Sequence, residues 1–161
     1  MGSLLLITNA CSISYSLNTA AINYDVLKTI SIKDFPNQAD LVYPPLAQAF
    51  TNALKNRYIQ QTRLKMISSG ADLEFEGEIT NYQTQELAVR EDARASQTRL
   101  TVTVKVRYLN NKEQGRDLDQ SFSAYRDYDN SKSLDSVQDE LVRLIVDDLT
   151  DQIYNATLGN W

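Results

Sequence analysis

Two stretches of strict alternation constrain this chain more than any other feature in it. Leu73, Phe75, Gly77 and Ile79 alternate with Glu74, Glu76, Glu78 and Thr80, and Leu100, Val102, Val104, Val106 and Tyr108 alternate with Thr101, Thr103, Lys105 and Arg107. Successive strand residues point to opposite faces of a sheet, so each stretch reads as a strand with one buried and one wet face. Glutamates on the first polar face and basic residues on the second suit neighbouring strands that pair across it. Asn110-Asn111-Lys112-Glu113-Gln114-Gly115 predicts a hairpin loop after the second strand. Leu118, Phe122 and Ala124 then make a third member of the meander, with Gln120 interrupting the alternation.

The apolar faces need a cover, and two segments with helical spacing supply it. Pro44-Pro45 suits a first helical turn, and Leu46, Ala49, Phe50, Ala53, Leu54 and Tyr58 follow at intervals of three and four, predicting a helix to about Thr62. Near the other end, Val137, Leu141, Leu144, Ile145, Leu149 and Ile153 form one stripe opposite Asp147, Asp148 and Asp151. Ser133 or Ser136 can cap this helix, with Asp135 and Asp139 favouring its positive end. Upstream, Val26, Leu27, Ile30 and Ile32 read as a strand closed by a turn at Asp34-Phe35-Pro36-Asn37. Leu64 to Ile67 is a short apolar piece leading to a turn at Ser68-Ser69-Gly70. The expectation is an α+β two-layer sandwich: an about four-stranded mixed sheet with both helices on one face, forming one domain over residues 23–157.

Composition removes several function classes. The 161 residues contain no histidine, the commonest general base and nitrogen metal ligand, and a single cysteine, so neither a thiolate zinc site nor an intrachain disulfide can form. A net charge of -5 opposes general nucleic-acid binding, which needs surplus Lys and Arg. Catalysis, a metal site and a cofactor are therefore not expected. The carboxylate rows Glu74/Glu76/Glu78 and Asp117/Asp119 could in principle hold an acid-base pair or calcium. Acid-base work, however, needs carboxylates in unlike environments within a cleft, and Asp127-Tyr128-Asp129-Asn130 lacks the glycine-turned pattern of a calcium loop. A solvated sheet face is the simpler reading, and Tyr125 and Tyr128 read as packing residues with wet hydroxyls.

The lone cysteine has its own context. Leu4, Leu5, Leu6 and Ile7 form an apolar run ending in Thr8, Asn9, Ala10 and Cys11, which reads as the end of a secretory signal. It resembles a lipobox, in which a small residue precedes the cysteine that receives the lipid. Cys11 is then the lipidation site, with several acyl chains giving a stable membrane anchor. Met1-Gly2-Ser3 has no basic residue, so the signal over residues 1–11 reads as truncated. Residues 12–22 form a polar tether and 158–161 a short tail.

One stretch remains as a candidate binding site. Thr84 to Thr98, between two strands expected to pair, carries Arg90 and Arg94, with Arg99 just beyond. A long loop between neighbouring strands usually has a job, and arginines there could grip phosphates bidentately. Glu86, Glu91 and Asp92 share the stretch, so an ordinary mixed-charge loop is the competing reading.

The ordered series Ala10-Cys11-Ser-Ile-Ser-Tyr-Ser16, Lys28-Thr-Ile-Ser-Ile-Lys-Asp-Phe-Pro-Asn37, Asp72-Leu-Glu-Phe-Glu-Gly-Glu-Ile-Thr-Asn-Tyr82, Arg99-Leu-Thr-Val-Thr-Val-Lys-Val-Arg107 and Gln120-Ser-Phe-Ser-Ala-Tyr125 resembles lipopolysaccharide-assembly lipoproteins (LptE) of the Bacteroidetes type. The resemblance runs from Cys11 to Trp161 and rests on the series rather than on any single motif. It implies two helices on one face of a four-stranded sheet and anchoring in the inner leaflet of the outer membrane, facing the periplasm. It also implies a place inside a β-barrel translocon as plug and assembly partner, and contact with lipopolysaccharide. The family's lipid-binding residues are basic and lie in a strand-connecting region, for which Arg90 and Arg94 are the positional candidates. Two readings compete: a regulatory lipoprotein that activates an envelope enzyme such as a cell-wall synthase, and a hydrolase working through Glu74, Glu76 and Glu78.

Overall fold

The alternation beginning at Leu73 opens the longest hairpin of the molecule. The computed structural model describes residues 22–87 and 96–159. In chain order the elements are β1 (Thr29–Ile32), α1 (Pro45–Gln61), β2 (Lys65–Met66), β3 (Leu73–Glu86), β4 (Gln97–Asn110), β5 (Leu118–Asp129) and α2 (Leu134–Tyr154), which runs on into a π-helical turn over Asn155–Gly159. They form an α+β sandwich whose five-stranded mixed sheet has the order β2-β1-β3-β4-β5. β1 pairs parallel with β2 and β3, whereas β3–β4 and β4–β5 are antiparallel. The strand beyond the four expected is β2, two residues long and too short to show a period.

The register follows the charges. Glu76 lies opposite Arg107 and Glu78 opposite Lys105, while Phe75 faces Tyr108 and Ile79 faces Val104. All the even-numbered β4 residues from Leu100 to Tyr108 are fully buried, as are Leu73, Phe75 and Ile79 on β3. At Thr80 the register shifts, so that Asn81 pairs with Thr103 and Tyr82 with Val102. This bulge carries one extra residue and reverses the facing of everything after it. Tyr82, not Thr80 or Asn81, therefore continues the core side.

Both helices cover that side. Tyr58 of α1 packs on Phe75 at 4.8 Å between ring centroids, and Phe75 on Tyr108 at 4.8 Å. The Tyr58 hydroxyl meets Thr157 Oγ1 at 2.5 Å, joining α1 to the turn after α2, and complete burial raises its pKa well above the ordinary value. On α2, Leu141, Ile145, Leu149 and Ile153 are buried as the stripe predicts, joined by Val142 and Val146. Ser133 occupies the N-cap position, yet its hydroxyl makes no capping bond.

Three expectations are corrected in detail. On α1 the buried set is Leu46, Phe50, Thr51, Leu54 and Tyr58, and Ala49 is exposed. Each residue turns the helix by about 100°, which centres that set near Leu54 and leaves Ala49 outside it. Thr51 takes the inner place because its hydroxyl accepts the Phe35 N–H at 3.1 Å. Asp34 to Asn37 is no turn either. Lys33 N–H donates to the Phe75 carbonyl, Ile79 N–H to the Pro36 carbonyl and Gln38 N–H to the Ile79 carbonyl, so the chain follows β3 and arches Phe35 over Gly77. Finally, β3 runs on to Glu86 and β4 begins at Gln97, so the expected long loop at Thr84–Thr98 is strand at its two ends.

Candidate functional site: the open face of the sheet

The helices leave the opposite sheet face uncovered, and its side chains are the odd-numbered residues of β4 and β5 with their β3 neighbours. At one end, Glu76 sits between two cations: Lys33 Nζ at 2.8 Å from Oε2 and Arg107 Nη1 at 3.1 Å from Oε1. Beside them Lys105 Nζ lies 3.8 Å from Asp119 Oδ1. Glu76, Glu78, Lys105, Arg107 and Asp119 rim a shallow depression of about 430 Å³. The centre is uncharged, with Thr103 Oγ1 and Ser123 Oγ 3.1 Å apart. At the far end Arg99 grips Asp127 with Nε at 2.8 Å and Nη2 at 3.0 Å, while its guanidinium carbon lies 3.7 Å from the centroid of the Tyr125 ring.

These pairs fix the charge of the face. The hydrogen bond from Lys33 and its positive charge hold the Glu76 carboxyl below its usual range, and the same bond raises Lys33. Arg99 lowers Asp127 in the same way, and the bond to Asp127 raises Arg99. All four groups therefore stay ionised across neutral pH. A carboxyl held low between two cations is the reverse of what a general acid needs, so Glu76 does not suit the hydrolase reading. Among the described residues no group of acidic or cysteine side chains could hold a metal ion.

Of the residues singled out by sequence, Arg99 lies on β4, engaged as above rather than free in a loop. Arg90, Arg94 and Cys11 lie outside the described residues. Sequence reasoning missed Lys33, whose partner across the sheet is set by the β1–β3 pairing, and the Arg99–Tyr125–Asp127 group. The second was readable in retrospect from a register that places Thr101 opposite Tyr125 and Arg99 opposite Asp127.

A family model for lipopolysaccharide assembly, LptE, matches residues 27–157, from just before β1 to within the turn that follows α2. The chain belongs to the LptE family. This is a family of non-enzymatic outer-membrane lipoproteins, and membership places the chain in lipopolysaccharide assembly at that level. Solved structures share the LptE-like fold. A minor lipoprotein from Acinetobacter baumannii is 17% identical with a TM-score of 0.54, covering 84% of this chain and 95% of its own. A hypothetical protein from Chlamydia trachomatis is 8% identical with a TM-score of 0.55, covering 83% and 99%. The rare lipoprotein B from Shewanella oneidensis is 14% identical with a TM-score of 0.52, covering 80% and 92%. At such identities the likeness speaks for the fold alone. No curated protein matches the chain in sequence. Among the described residues no helix is long and apolar enough to cross a membrane.

Proposed function

We propose that this LptE member plugs and helps assemble the β-barrel of the lipopolysaccharide translocon and contacts lipopolysaccharide in transit, without catalysing a reaction. Cys11 carries the lipid anchor on the periplasmic side of the outer membrane, residues 1–11 are the signal, 12–22 the tether, 23–157 the periplasmic domain and 158–161 the tail. The observation that carries the plug reading is the open face. It is an array in which four cations (Lys33, Arg99, Lys105, Arg107) stand among six carboxylates (Glu74, Glu76, Glu78, Asp119, Asp127, Asp129). A barrel lumen is polar, and a face of mixed charge whose four cations are all held in ion pairs suits it. Contact with lipid phosphates falls to Arg90 and Arg94, by bidentate hydrogen bonding.

The test is a mild-detergent pull-down of the full-length, exported protein from its own membranes, identified by mass spectrometry. A stoichiometric outer-membrane barrel is expected, and Lys105→Glu with Arg107→Glu should reduce its recovery about tenfold or more while shifting stability by less than about 1 kcal/mol. Recovery of a cell-wall synthase in place of a barrel would move the regulatory reading to the front. Replacing Arg90 and Arg94 with Ala should weaken lipopolysaccharide crosslinking and leave the barrel bound.

A further inference from the structure

β2 and β5 are the two edges of the sheet, and β2 has only two residues. β5, with twelve, is the long edge. Asn130 N–H donates to the Ser96 carbonyl, and the register continues from Gln97↔Asp129 to Tyr108↔Leu118. In an antiparallel ladder this directs the backbone groups of the even-numbered β5 residues at β4 and those of the odd-numbered residues outward. Two side chains close on that outer edge. Gln152 Nε2 donates to the Ser123 carbonyl at 3.3 Å, and Arg126 Nη1 donates to the Tyr125 carbonyl at 2.8 Å while bonded to Asp148 at 2.6 Å. No described residue accepts from the outward N–H groups of Ser121, Ser123, Tyr125 and Asp127. Alongside, between the edge and α2, lies a groove of about 360 Å³ with Ala124, Arg126, Asp148 and Gln152 in its wall, enough for a side chain or two of a visiting strand.

Charge identifies the visitor. On the open face the sign alternates strand by strand: Lys33 beside β1, Glu74, Glu76 and Glu78 on β3, Arg99, Lys105 and Arg107 on β4, then Asp119, Asp127 and Asp129 on β5. Among the described residues the series stops at an acidic strand, so a basic strand continues it. A second copy does not: a two-fold pairing of β5 with itself about Ser123 sets Asp119 against Asp127 twice, and like charges directly opposite are unfavourable. We propose that the outer edge of β5 is a strand-addition site for an extended segment of a partner protein bearing Lys or Arg on alternate residues. Backbone bonds give such a site its affinity and the alternate side chains its specificity, with Gln152 and Arg126 releasing the two carbonyls as the segment arrives. It stands independently of the plug reading, since any envelope partner with such a segment would suffice.

The test is amide hydrogen exchange of the full chain, followed by NMR, with a synthetic peptide of alternating Lys and Val, and one of alternating Glu and Val as control. With the lysine peptide, exchange at Ser121, Ser123, Tyr125 and Asp127 should slow about tenfold or more, and the glutamate peptide should have little effect. Ser123→Pro removes one outward N–H, spares the β4 ladder and should abolish the slowing. Asp119→Lys with Asp129→Lys, which keeps the backbone intact, should transfer the preference to the glutamate peptide. No slowing, equal slowing by both peptides, or slowing that survives Ser123→Pro would overturn the proposal. Slowing without peptide that rises with protein concentration, with a dimer in sedimentation, would assign the edge to a second copy and overturn it equally.

Discussion

Asp72 ties the start of β3 to two separate parts of the chain. Its Oδ2 accepts the backbone N–H groups of Lys28 and Thr29 at 2.8 and 3.0 Å, its own N–H donates to Thr29 Oγ1 at 2.9 Å, and Lys112 Nζ stands 3.3 Å from Oδ1. The N–H bond from Lys28 leads in lowering its pKa from 3.8 to about 2, with the Thr29 bonds adding to it. A carboxyl whose pKa is depressed by folding adds stability above its unfolded value and loses it as pH falls through the folded one. Urea unfolding should therefore show a decline between about pH 4 and pH 2 that Asp72→Asn removes, the variant being weaker by about 1–3 kcal/mol at neutral pH. Gly77 is the other constrained position. A Cβ there would lie 2.0 Å from the Lys105 carbonyl oxygen and 2.6 Å from Phe35 Cε1. Gly77→Ala should cost about 1–3 kcal/mol by thermal unfolding. Adding Phe35→Ala should fail to restore it, because the carbonyl stays in place.

At the scale of elements, the Tyr58–Thr157 contact joins α1 to the turn after α2. Tyr58→Phe removes that bond, but Thr157 Oγ1 still donates to the Ile153 carbonyl at 2.8 Å, so no buried donor is orphaned. The expected loss is about 1 kcal/mol in chemical denaturation, against about 3 kcal/mol or more for Tyr58→Ala. The elements that could be read from sequence are those whose period outlasts their ends: α2, the first half of β3 and β4 from Leu100 to Tyr108. Where tertiary contacts override periodicity, reading failed. Ala49 has good spacing yet faces water, because Thr51 is drawn inward by the Phe35 N–H. Asp34-Phe35-Pro36-Asn37 has turn composition, but its backbone finds partners on β3. The candidate site divides the same way. The Glu76–Arg107 and Glu78–Lys105 pairings follow from alternation and sign, whereas Lys33 reaches Glu76 only through a parallel pairing that no local pattern records.

Across the whole molecule, the first strand in sequence lies inside the sheet. β1 sits between β2 and β3, so the chain must close a long loop before the sheet is complete. Removing residues 1–32 would strip β2 of its partner β1 and open the apolar edge of β3. Such a chain should lose most far-UV circular dichroism and elute as aggregate in gel filtration, whereas one beginning at residue 22 should fold. The bulge at Thr80 sets a rule of a different kind. It is a half-period slip that lets two halves of one strand, written in opposite phase, share a single core. Between the bulge and Tyr82, β3 can change by two residues without turning inside out, but a single deletion would carry Tyr82 to the outside and bring Gln83 in. Length variation among relatives in that stretch should therefore obey parity, coming in even steps.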